Sequence, residues 1–170
     1  VTNLNLSSPQ GDKAIVAFLK RFGAQICTDG DTVTVSRGDL RGIDIDAGDT
    51  PDLVPVLAAV AAVSGGQTVI SNANRLRIKE SDRLKTVTDT LSSLGADIAE
   101  KADGLIITGK AHLSGGIVSS HGDHRIAMTA AVVSTACREA VTIQKAEAVS
   151  KSYPGFFEDF SALGAAYEAV

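Results

Sequence analysis

The sequence predicts an α/β fold of repeated α-β-β-β-α-β units, in which buried helices are surrounded by sheets. Three segments end with the same dipeptide, Gly-Ala, whose alanines are residues 24, 96 and 165. This spacing indicates a repeat of about 70 residues. In the first two repeats this segment closes an amphipathic helical pattern and precedes two short strand patterns. Each of these repeats also contains a second helical pattern that is apolar nearly all round, and such a helix has to be buried.

The first unit begins with a helical pattern over residues 12–22. Gly23 follows it, at the position where the end of a helix favours glycine. Further on, Asp29-Gly30-Asp31 has the composition of a tight turn between strands. The unit is therefore predicted to continue with three strands, over residues 25–28, 32–36 and 42–46.

The second helix of the first unit is predicted over residues 51–63. Its leucines, valines and alanines leave it without a polar face. A helix of this kind is stable in the interior of a protein, where other elements cover it on every side. A fourth strand, predicted over residues 68–71, completes the unit.

The second unit repeats this order. Leu84, Val87, Leu91 and Leu94 fall on one face of a helix predicted over residues 81–94. The later elements of this unit are three strands, a buried helix and a fourth strand, predicted over residues 96–100, 104–108, 116–120, 124–136 and 141–144. A third unit starts over residues 154–170 and is incomplete in this sequence.

Composition excludes two classes of function. The net charge of -4 argues against nucleic-acid binding, and no apolar stretch is long enough to span a bilayer. The two cysteines, Cys27 and Cys137, have neither metal nor redox spacing and are interpreted as buried thiols. Against this acidic background, basic side chains crowd into residues 75–85. This local excess of positive charge predicts a site for a small anion.

Polar residues gather where the helices begin. Thr50 and Asp123 occupy positions typical of N-caps, and capping is the favoured interpretation of Asp123. Arg125 differs, because a cation beside the positive end of a helix is unfavourable unless an anion is also present. Lys79 precedes the amphipathic helix of the second unit, and Lys151 occupies the equivalent position one repeat later. These helix starts also predict an anion site.

Three segments carry a resemblance to a known family. Residues 77–84 (Arg-Ile-Lys-Glu-Ser-Asp-Arg-Leu), 123–128 (Asp-His-Arg-Ile-Ala-Met) and 150–157 (Ser-Lys-Ser-Tyr-Pro-Gly-Phe-Phe) resemble the C-terminal signatures of the 5-enolpyruvylshikimate-3-phosphate synthases. Residues 10–12 and 50–52 extend the resemblance over nearly the whole chain. It implies the inside-out α/β barrel of the enolpyruvyl transferases. It also implies that residues 1–170 are a portion of the C-terminal domain, with two complete units and the start of a third, without the N-terminal domain.

The resemblance implies a transferase of the shikimate pathway, which leads to the aromatic amino acids. Enzymes of this family move the enolpyruvyl group of phosphoenolpyruvate to the 5-hydroxyl of shikimate 3-phosphate and release phosphate, with no metal or organic cofactor. The herbicide glyphosate competes with phosphoenolpyruvate. The implied compartment is the cytoplasm in bacteria and the plastid in plants. The expected partners are the two substrates and the N-terminal domain, so this piece alone is expected to be inactive, and no nucleic acid or membrane is expected to bind.

The resemblance assigns the acceptor side of the site to two residues. Asp52 and Lys79 would bind shikimate 3-phosphate, and Asp52 would also be the catalytic base. Asp82 and His124 belong to the motifs and would orient their neighbours. Arg75 stands where some members of the family carry an asparagine, so one expected contact to the shikimate phosphate differs here.

The donor side of the site is assigned in the same way. Arg83, Arg125 and Lys151 would bind phosphoenolpyruvate, a task that suits the forked donors of arginine. Glu80 and Lys151 would act as catalytic residues at the reacting carbon, where a proton is delivered and phosphate departs. The sequence leaves open which of these two protonates the substrate.

Two alternatives accompany this hypothesis. One is the related enolpyruvyl transferase that acts on UDP-N-acetylglucosamine, against which residues 79–83 and 123–125 favour the shikimate enzyme. The other is a noncatalytic domain of the same fold, which would be marked by degraded site residues. The six site residues are all present, namely Asp52, Lys79, Glu80, Arg83, Arg125 and Lys151.

Overall fold

The computed structural model describes residues 1–169. These residues form five α-helices: α1 (Ile15–Phe22), α2 (Val54–Ala62), α3 (Arg83–Ser93), α4 (His124–Ser134) and α5 (Phe156–Ala162). Short 3-10 turns lie ahead of four of them, at Gly11–Ala14, Pro51–Leu53, Asn74–Ile78 and Ala146–Lys151. The four complete helices predicted from the sequence are confirmed. With the turns Gly11–Ala14 and Pro51–Leu53 counted as part of α1 and α2, the bounds differ from the predicted ones by two residues at most.

Eight strands form three sheets in the described residues. They are β1 (Gln25–Asp29), β2 (Thr32–Ser36), β3 (Asp44–Asp46), β4 (Gln67–Ser71), β5 (Asp97–Lys101), β6 (Gly104–Thr108), β7 (Gly116–Ser119) and β8 (Val141–Gln144). β1 and β2 form an antiparallel pair, and β7 and β8 a parallel pair. The other four form one sheet in the order β3-β4-β6-β5. The predicted α-β-β-β-α-β order is confirmed from α1 to β4 and from α3 to β8.

The four-stranded sheet joins the two repeat units. β3 and β4 of the first unit are parallel, whereas β4 and β6 are antiparallel, with Ile70 opposite Leu105. β3 begins two residues later than predicted. Gly42 lies just ahead of it, and a Cβ atom there would come within 2.1 Å of the carbonyl oxygen of Gln67. Only glycine allows the backbone to approach the neighbouring strand so closely.

The two apolar helices are buried against each other. Leu57 and Ala58 of α2 and Ile126 and Ala130 of α4 are all completely buried. The small alanines let the helices pack closely, and the absence of a polar face leaves no side chain that requires water. The predicted layout, with these helices inside and sheets outside, is therefore confirmed. None of the helices in residues 1–169 combines the length and the apolar character that crossing a membrane requires.

Two local predictions are wrong, namely that both cysteine thiols are buried and that the side chain of Thr50 caps a helix. Cys27 is exposed, because on β1 it points to the face opposite the one shared by Thr28 and the buried Val33. Cys137 is half-buried, and burial raises the pKa of its thiol. Thr50 occupies the N-cap position before the turn Pro51–Leu53, but its side chain makes no capping hydrogen bond.

Candidate active site

Three helix starts meet at one place in the fold. Asp52 lies in the turn ahead of α2, Arg83 is the first residue of α3, and Arg125 is the second residue of α4. Their side chains contact one another, although 31 and 73 residues of sequence separate Asp52 from the two arginines. Lys79 joins them, because its Nζ lies 3.2 Å from Oδ1 of Asp52. The packing of α2, α3 and α4 thus brings residues from both repeat units together.

Arg83 is the buried centre of this cluster, with a side chain only 1% exposed to solvent. Its Nε donates to Oδ2 of Asp123 at 2.8 Å, its Nη1 donates to Oδ1 of Asp52 at 2.9 Å, and its Nη2 donates to Glu80. Burial by itself lowers the pKa of Arg83, but the hydrogen bond and charge of Asp123, together with Glu80 and Asp52, outweigh it and raise the pKa. The guanidinium therefore stays charged inside the protein, as a buried ion does only when it is paired.

Asp123 is the completely buried partner of Arg83. Its Oδ1 accepts the backbone N–H of Arg125 at 2.9 Å, so the predicted N-cap of α4 is confirmed. Its Oδ2 accepts the hydroxyl of Ser81 at 3.0 Å in addition to the guanidinium. Burial raises the pKa of Asp123, but the hydrogen bond and charge of Arg83 outweigh it and hold the pKa below its usual value. The residue predicted only as a cap therefore also holds Arg83.

Asp52 accepts hydrogen bonds from cations of three segments. Besides Lys79 and Arg83, Nη2 of Arg125 lies 3.3 Å from its Oδ2, and Nη1 of Arg125 donates to its backbone carbonyl at 3.2 Å. Partial burial raises the pKa of Asp52, but the hydrogen bond from Lys79 and the charges of Arg125 and Arg83 outweigh it and lower the pKa. The carboxylate is therefore ionised at neutral pH.

Arg83 and Arg125, both assigned to phosphoenolpyruvate by the resemblance, meet at one carboxylate. Arg83 and Arg125 donate to the two different oxygens of the Asp52 carboxylate. Each guanidinium gives one N–H to this carboxylate, so two arginines from different helices, α3 and α4, converge on one anion. Lys85 stands apart from this cluster, because it pairs with Asp89 on the exposed surface of α3.

Glu80 connects the cluster to the start of α4. One of its carboxylate oxygens accepts from Arg83, and the other lies 4.0 Å from Nδ1 of His124. His124 is buried, and within residues 1–169 its Nδ1 has no hydrogen-bond partner. A small movement of Glu80 toward the ring would therefore give this nitrogen a partner.

Lys151 lies next to the cluster rather than in it. Its Nζ donates to the carbonyl oxygen of Gly122 at 2.7 Å, directly ahead of Asp123. Within the described part of the chain it forms no ion pair or hydrogen bond with the other five predicted site residues. The structure thus brings together Asp52, Lys79, Glu80, Arg83 and Arg125, while Lys151, in the turn ahead of α5, bonds to the loop before α4.

The model of the EPSP synthase family, 3-phosphoshikimate 1-carboxyvinyltransferase, matches residues 1–160 of this chain. The chain belongs to the EPSP synthase family. A 3-phosphoshikimate 1-carboxyvinyltransferase of Clostridium novyi is 52% identical over 95% of the chain, and one of Clostridium kluyveri is 53% identical over 95% of it. The chain spans 37% and 38% of the lengths of these two relatives.

Solved structures agree with the family assignment. The chain is similar to EPSP synthase from Acinetobacter baumannii, with a TM-score of 0.80 and 30% identity over 88% of this chain and 38% of that one. The enolpyruvyl transferase NikO from Streptomyces tendae has a TM-score of 0.73 at 24% identity and covers 94% of this chain and 38% of its own. The inside-out α/β fold implied by the sequence is therefore confirmed.

Two residues of the EPSP synthase motif have contacts that the sequence did not indicate. Asp82 is the N-cap of α3, where it accepts the backbone N–H of Lys85 at 3.2 Å. Ser81 bonds to Asp123, 42 residues away, and to Thr86. Asp at this position ahead of an amphipathic helix is a cap signal that the prediction from sequence did not use, whereas the partner of Ser81 depends on the packing between α3 and α4. Among residues 1–169 there is no cluster of three or more potential metal ligands.

Proposed function

We propose that the protein to which this chain belongs transfers the enolpyruvyl group of phosphoenolpyruvate to the 5-hydroxyl of shikimate 3-phosphate and releases phosphate. The observation that carries the proposal is the meeting of Lys79, Arg83 and Arg125 at the carboxylate of Asp52. The family assignment supports the same reaction. We also propose that residues 1–170 are a portion of the C-terminal domain and that the N-terminal domain supplies the remainder of the site.

The donor would bind through the two arginines. Phosphoenolpyruvate carries a carboxylate and a phosphate, and in the proposed complex these groups replace carboxylates of the protein as partners of Arg83 and Arg125. Both arginines present forked donors, which bind such anions in a fixed orientation. Lys151, held beside Asp123, would add a third cation as phosphate departs.

The acceptor would bind at Asp52 and Lys79. Asp52 would accept the proton of the 5-hydroxyl while the hydroxyl oxygen forms a bond to C2 of phosphoenolpyruvate. When paired with three cations, Asp52 is a weak base, because its pKa is lowered. Binding of the donor anion would neutralise the charge of the two arginines and move this pKa back toward its ordinary value. Donor binding would thereby prepare Asp52 for proton transfer.

The remaining protons move at the methylene carbon of the donor. In the addition step this carbon gains a proton and becomes a methyl group, and in the elimination step it loses a proton while the bond to the phosphate oxygen breaks. Glu80 and Lys151 are the proposed proton carriers, which give the methylene carbon its proton in the addition and take one back in the elimination. The proton that Asp52 takes from the hydroxyl passes to the departing phosphate, so the side chains return to their starting state. Glu80 accepts a hydrogen bond from Arg83 and lies 4.0 Å from Nδ1 of His124.

Reassembly of the enzyme tests the proposal. The chain is co-purified with the N-terminal portion of its own protein, and phosphate release is measured with phosphoenolpyruvate and shikimate 3-phosphate. We expect activity in the mixture and no activity from either portion alone. Activity only with UDP-N-acetylglucosamine as acceptor would overturn the proposed substrate, and a correctly folded mixture inactive with both acceptors would favour a noncatalytic domain. In a bacterial host we propose a cytoplasmic location.

A further inference from the structure

Arg77 is a motif residue that takes no part in the cluster around Arg83. It lies near the end of the turn Asn74–Ile78, and Nη1 of its side chain donates to both carboxylate oxygens of Asp82, at 3.2 and 3.0 Å. Since Asp82 caps α3, this pair links the end of one helical segment to the start of the next. The four residues enclosed by the pair include Lys79 and Glu80 of the proposed site.

The same side chain is anchored to the turn between β5 and β6. Its Nη2 donates to the carbonyl oxygens of Lys101 and Ala102 at 2.7 and 3.1 Å, and its Nε donates to Ala102 at 3.3 Å. Nη1 also donates to Glu100 on β5. All three nitrogens of Arg77 are therefore used, and the enclosed segment is fixed relative to the sheet.

The enclosed segment has little support from its own backbone. Within residues 1–169 the N–H groups of Glu80 and Ser81 donate no hydrogen bond, and Lys79 is extended, with φ -89° and ψ -163°. Its course therefore depends on side chains at its two ends. Arg83 and Asp123 hold it on the inner side, and Arg77 holds it on the outer side.

We propose that Arg77 is a positioning residue, which closes the segment 78–81 against Asp82 and the β5–β6 turn and thereby holds Lys79 and Glu80 toward Asp52 and Arg83. The expected effect of its removal is on geometry more than on stability, because the Arg77 and Asp82 side chains are 29% and 37% exposed. The inference rests on the proposed function for its kinetic consequences, whereas its structural consequence is independent of that function.

Two substitutions in the full-length protein test this role. Arg77→Met removes all the hydrogen bonds, and Arg77→Lys keeps the charge near Asp82 but loses the fork that reaches both turn carbonyls. Lys85→Met is the matched control, since it removes a cation of similar length whose partner, Asp89, lies on the exposed surface of α3. We expect Arg77→Met to lower kcat/KM by roughly 10- to 100-fold, because a displacement of about 1 Å in a site can cost about 10²-fold.

The division between kcat and KM separates positioning from folding. Lys79 contacts the acceptor in the proposed complex, so the KM for shikimate 3-phosphate is expected to rise in Arg77→Met, with partial rescue in Arg77→Lys. A lower amount of folded enzyme would reduce kcat alone and leave KM unchanged. Kinetics in Arg77→Met equal to those of Lys85→Met, or a loss confined to the folded fraction, would overturn the inference.

A second measurement does not depend on activity. The rate at which acetic anhydride modifies Lys79 is followed by mass spectrometry, with the exposed Lys20 as the internal reference. Lys79 is held by Asp52, so we expect slow modification in the unsubstituted protein and a rate approaching that of Lys20 in Arg77→Met. An unchanged Lys79 rate in a folded variant contradicts the inference, even if the protein proves to act on another substrate. A changed rate without activity in the unsubstituted protein would instead contradict only the proposed function.

Discussion

Helices α3 and α5 occupy the same position in the repeat but have different surroundings. Both end at a glycine with positive φ, at Gly95 (91°) and Gly164 (100°). Leu94, just before the first glycine, is completely buried, whereas Leu163, just before the second, is 88% exposed. α3 packs between α2, α4 and the strands β5 and β7, while no residue of α5 is buried. A repeated sequence thus specifies the helix and its end, but burial depends on what packs against it.

The residues ahead of α3 and α5 also differ in the groups that they contact. Lys79 and Lys151 are equivalent in the repeat, but Lys79 reaches the carboxylate of Asp52, whereas Lys151 reaches the carbonyl of Gly122. Arg83 at the start of α3 has a glycine, Gly155, at the equivalent position before α5. Of these two helices, as far as residues 1–169 show, α3 places a buried cation in the site and α5 does not, so the two units contribute different chemistry.

Removal of the buried cation is expected to have the largest effect. Arg83→Met leaves Asp123 buried without its partner, and breaking a buried ion pair in this way costs about 3–5 kcal/mol. Urea unfolding measures this loss. Lys151→Met, at the equivalent helix start, is the control and is expected to change the free energy of unfolding by less than about 0.5 kcal/mol, because Lys151 is exposed. Equal losses in the two variants would contradict the comparison.

Whether the sequence predicts a feature of this structure depends on how far apart along the chain the interacting residues lie. Helix bounds were predictable because apolar periodicity and glycine caps are local, as at residues 81–95. The pairing of β4 with β6 was not predictable from the sequence, because it joins strands of two different repeat units. Asp123 was predicted as a cap from its neighbours, but its bond to Arg83 spans 40 residues. The identity of the site residues came from the motifs, whereas their mutual contacts required the fold.

The second prediction concerns the acceptor side of the site, where Lys79 contacts Asp52, whereas its repeat equivalent Lys151 bonds to Gly122 instead. In the full-length enzyme we expect Asp52→Ala to lower kcat by about 10²- to 10⁴-fold with the fold intact, as for loss of a general base. Lys79→Ala is expected mainly to raise the KM for shikimate 3-phosphate, since in the proposed complex its charge would meet the substrate in ground and transition states alike. Steady-state kinetics separate these outcomes. Near-normal kcat with a raised KM in Asp52→Ala would show that Asp52 only positions the substrate.

The third prediction sharpens the contrast in burial. Leu94→Ala is expected to destabilise the 170-residue chain by about 2–5 kcal/mol, because it leaves a cavity in the core. Leu163→Ala, at the matching position beyond α5, is expected to cost less than about 0.5 kcal/mol, because the side chain is exposed. Thermal and urea unfolding of both variants measure the difference. A comparable cost at Leu163 would mean that α5 is covered in solution.

The smallest expected effect is the response of the buried cluster to acid. Burial raises the pKa of Asp123, but the hydrogen bond and charge of Arg83 outweigh it, so its pKa in the folded protein lies below the ordinary value of 3.8. A carboxylate with a lowered pKa binds fewer protons when folded than when unfolded. The stability it contributes is therefore fully present above pH 3.8 and is lost as the pH falls through the folded value.

Asp123→Asn tests this acid response. The asparagine loses the charge but keeps the shape, so the variant is expected to be less stable at pH 7 by about 1.5–3 kcal/mol, the contribution of a hydrogen bond to a charged group. Its stability should then fall less steeply than that of the unsubstituted chain below pH 3.8, where the unfolded chain binds a proton at Asp123 while the folded aspartate, with its lowered pKa, stays ionised. Asp89→Asn, in the exposed pair with Lys85, is the control and is expected to change stability by only about 0.3–0.5 kcal/mol. Urea unfolding between pH 7 and the acid range measures both slopes. If Asp123→Asn and the unsubstituted chain lose stability equally on acidification, then Asp123 is not the group that makes the buried start of α3 sensitive to acid.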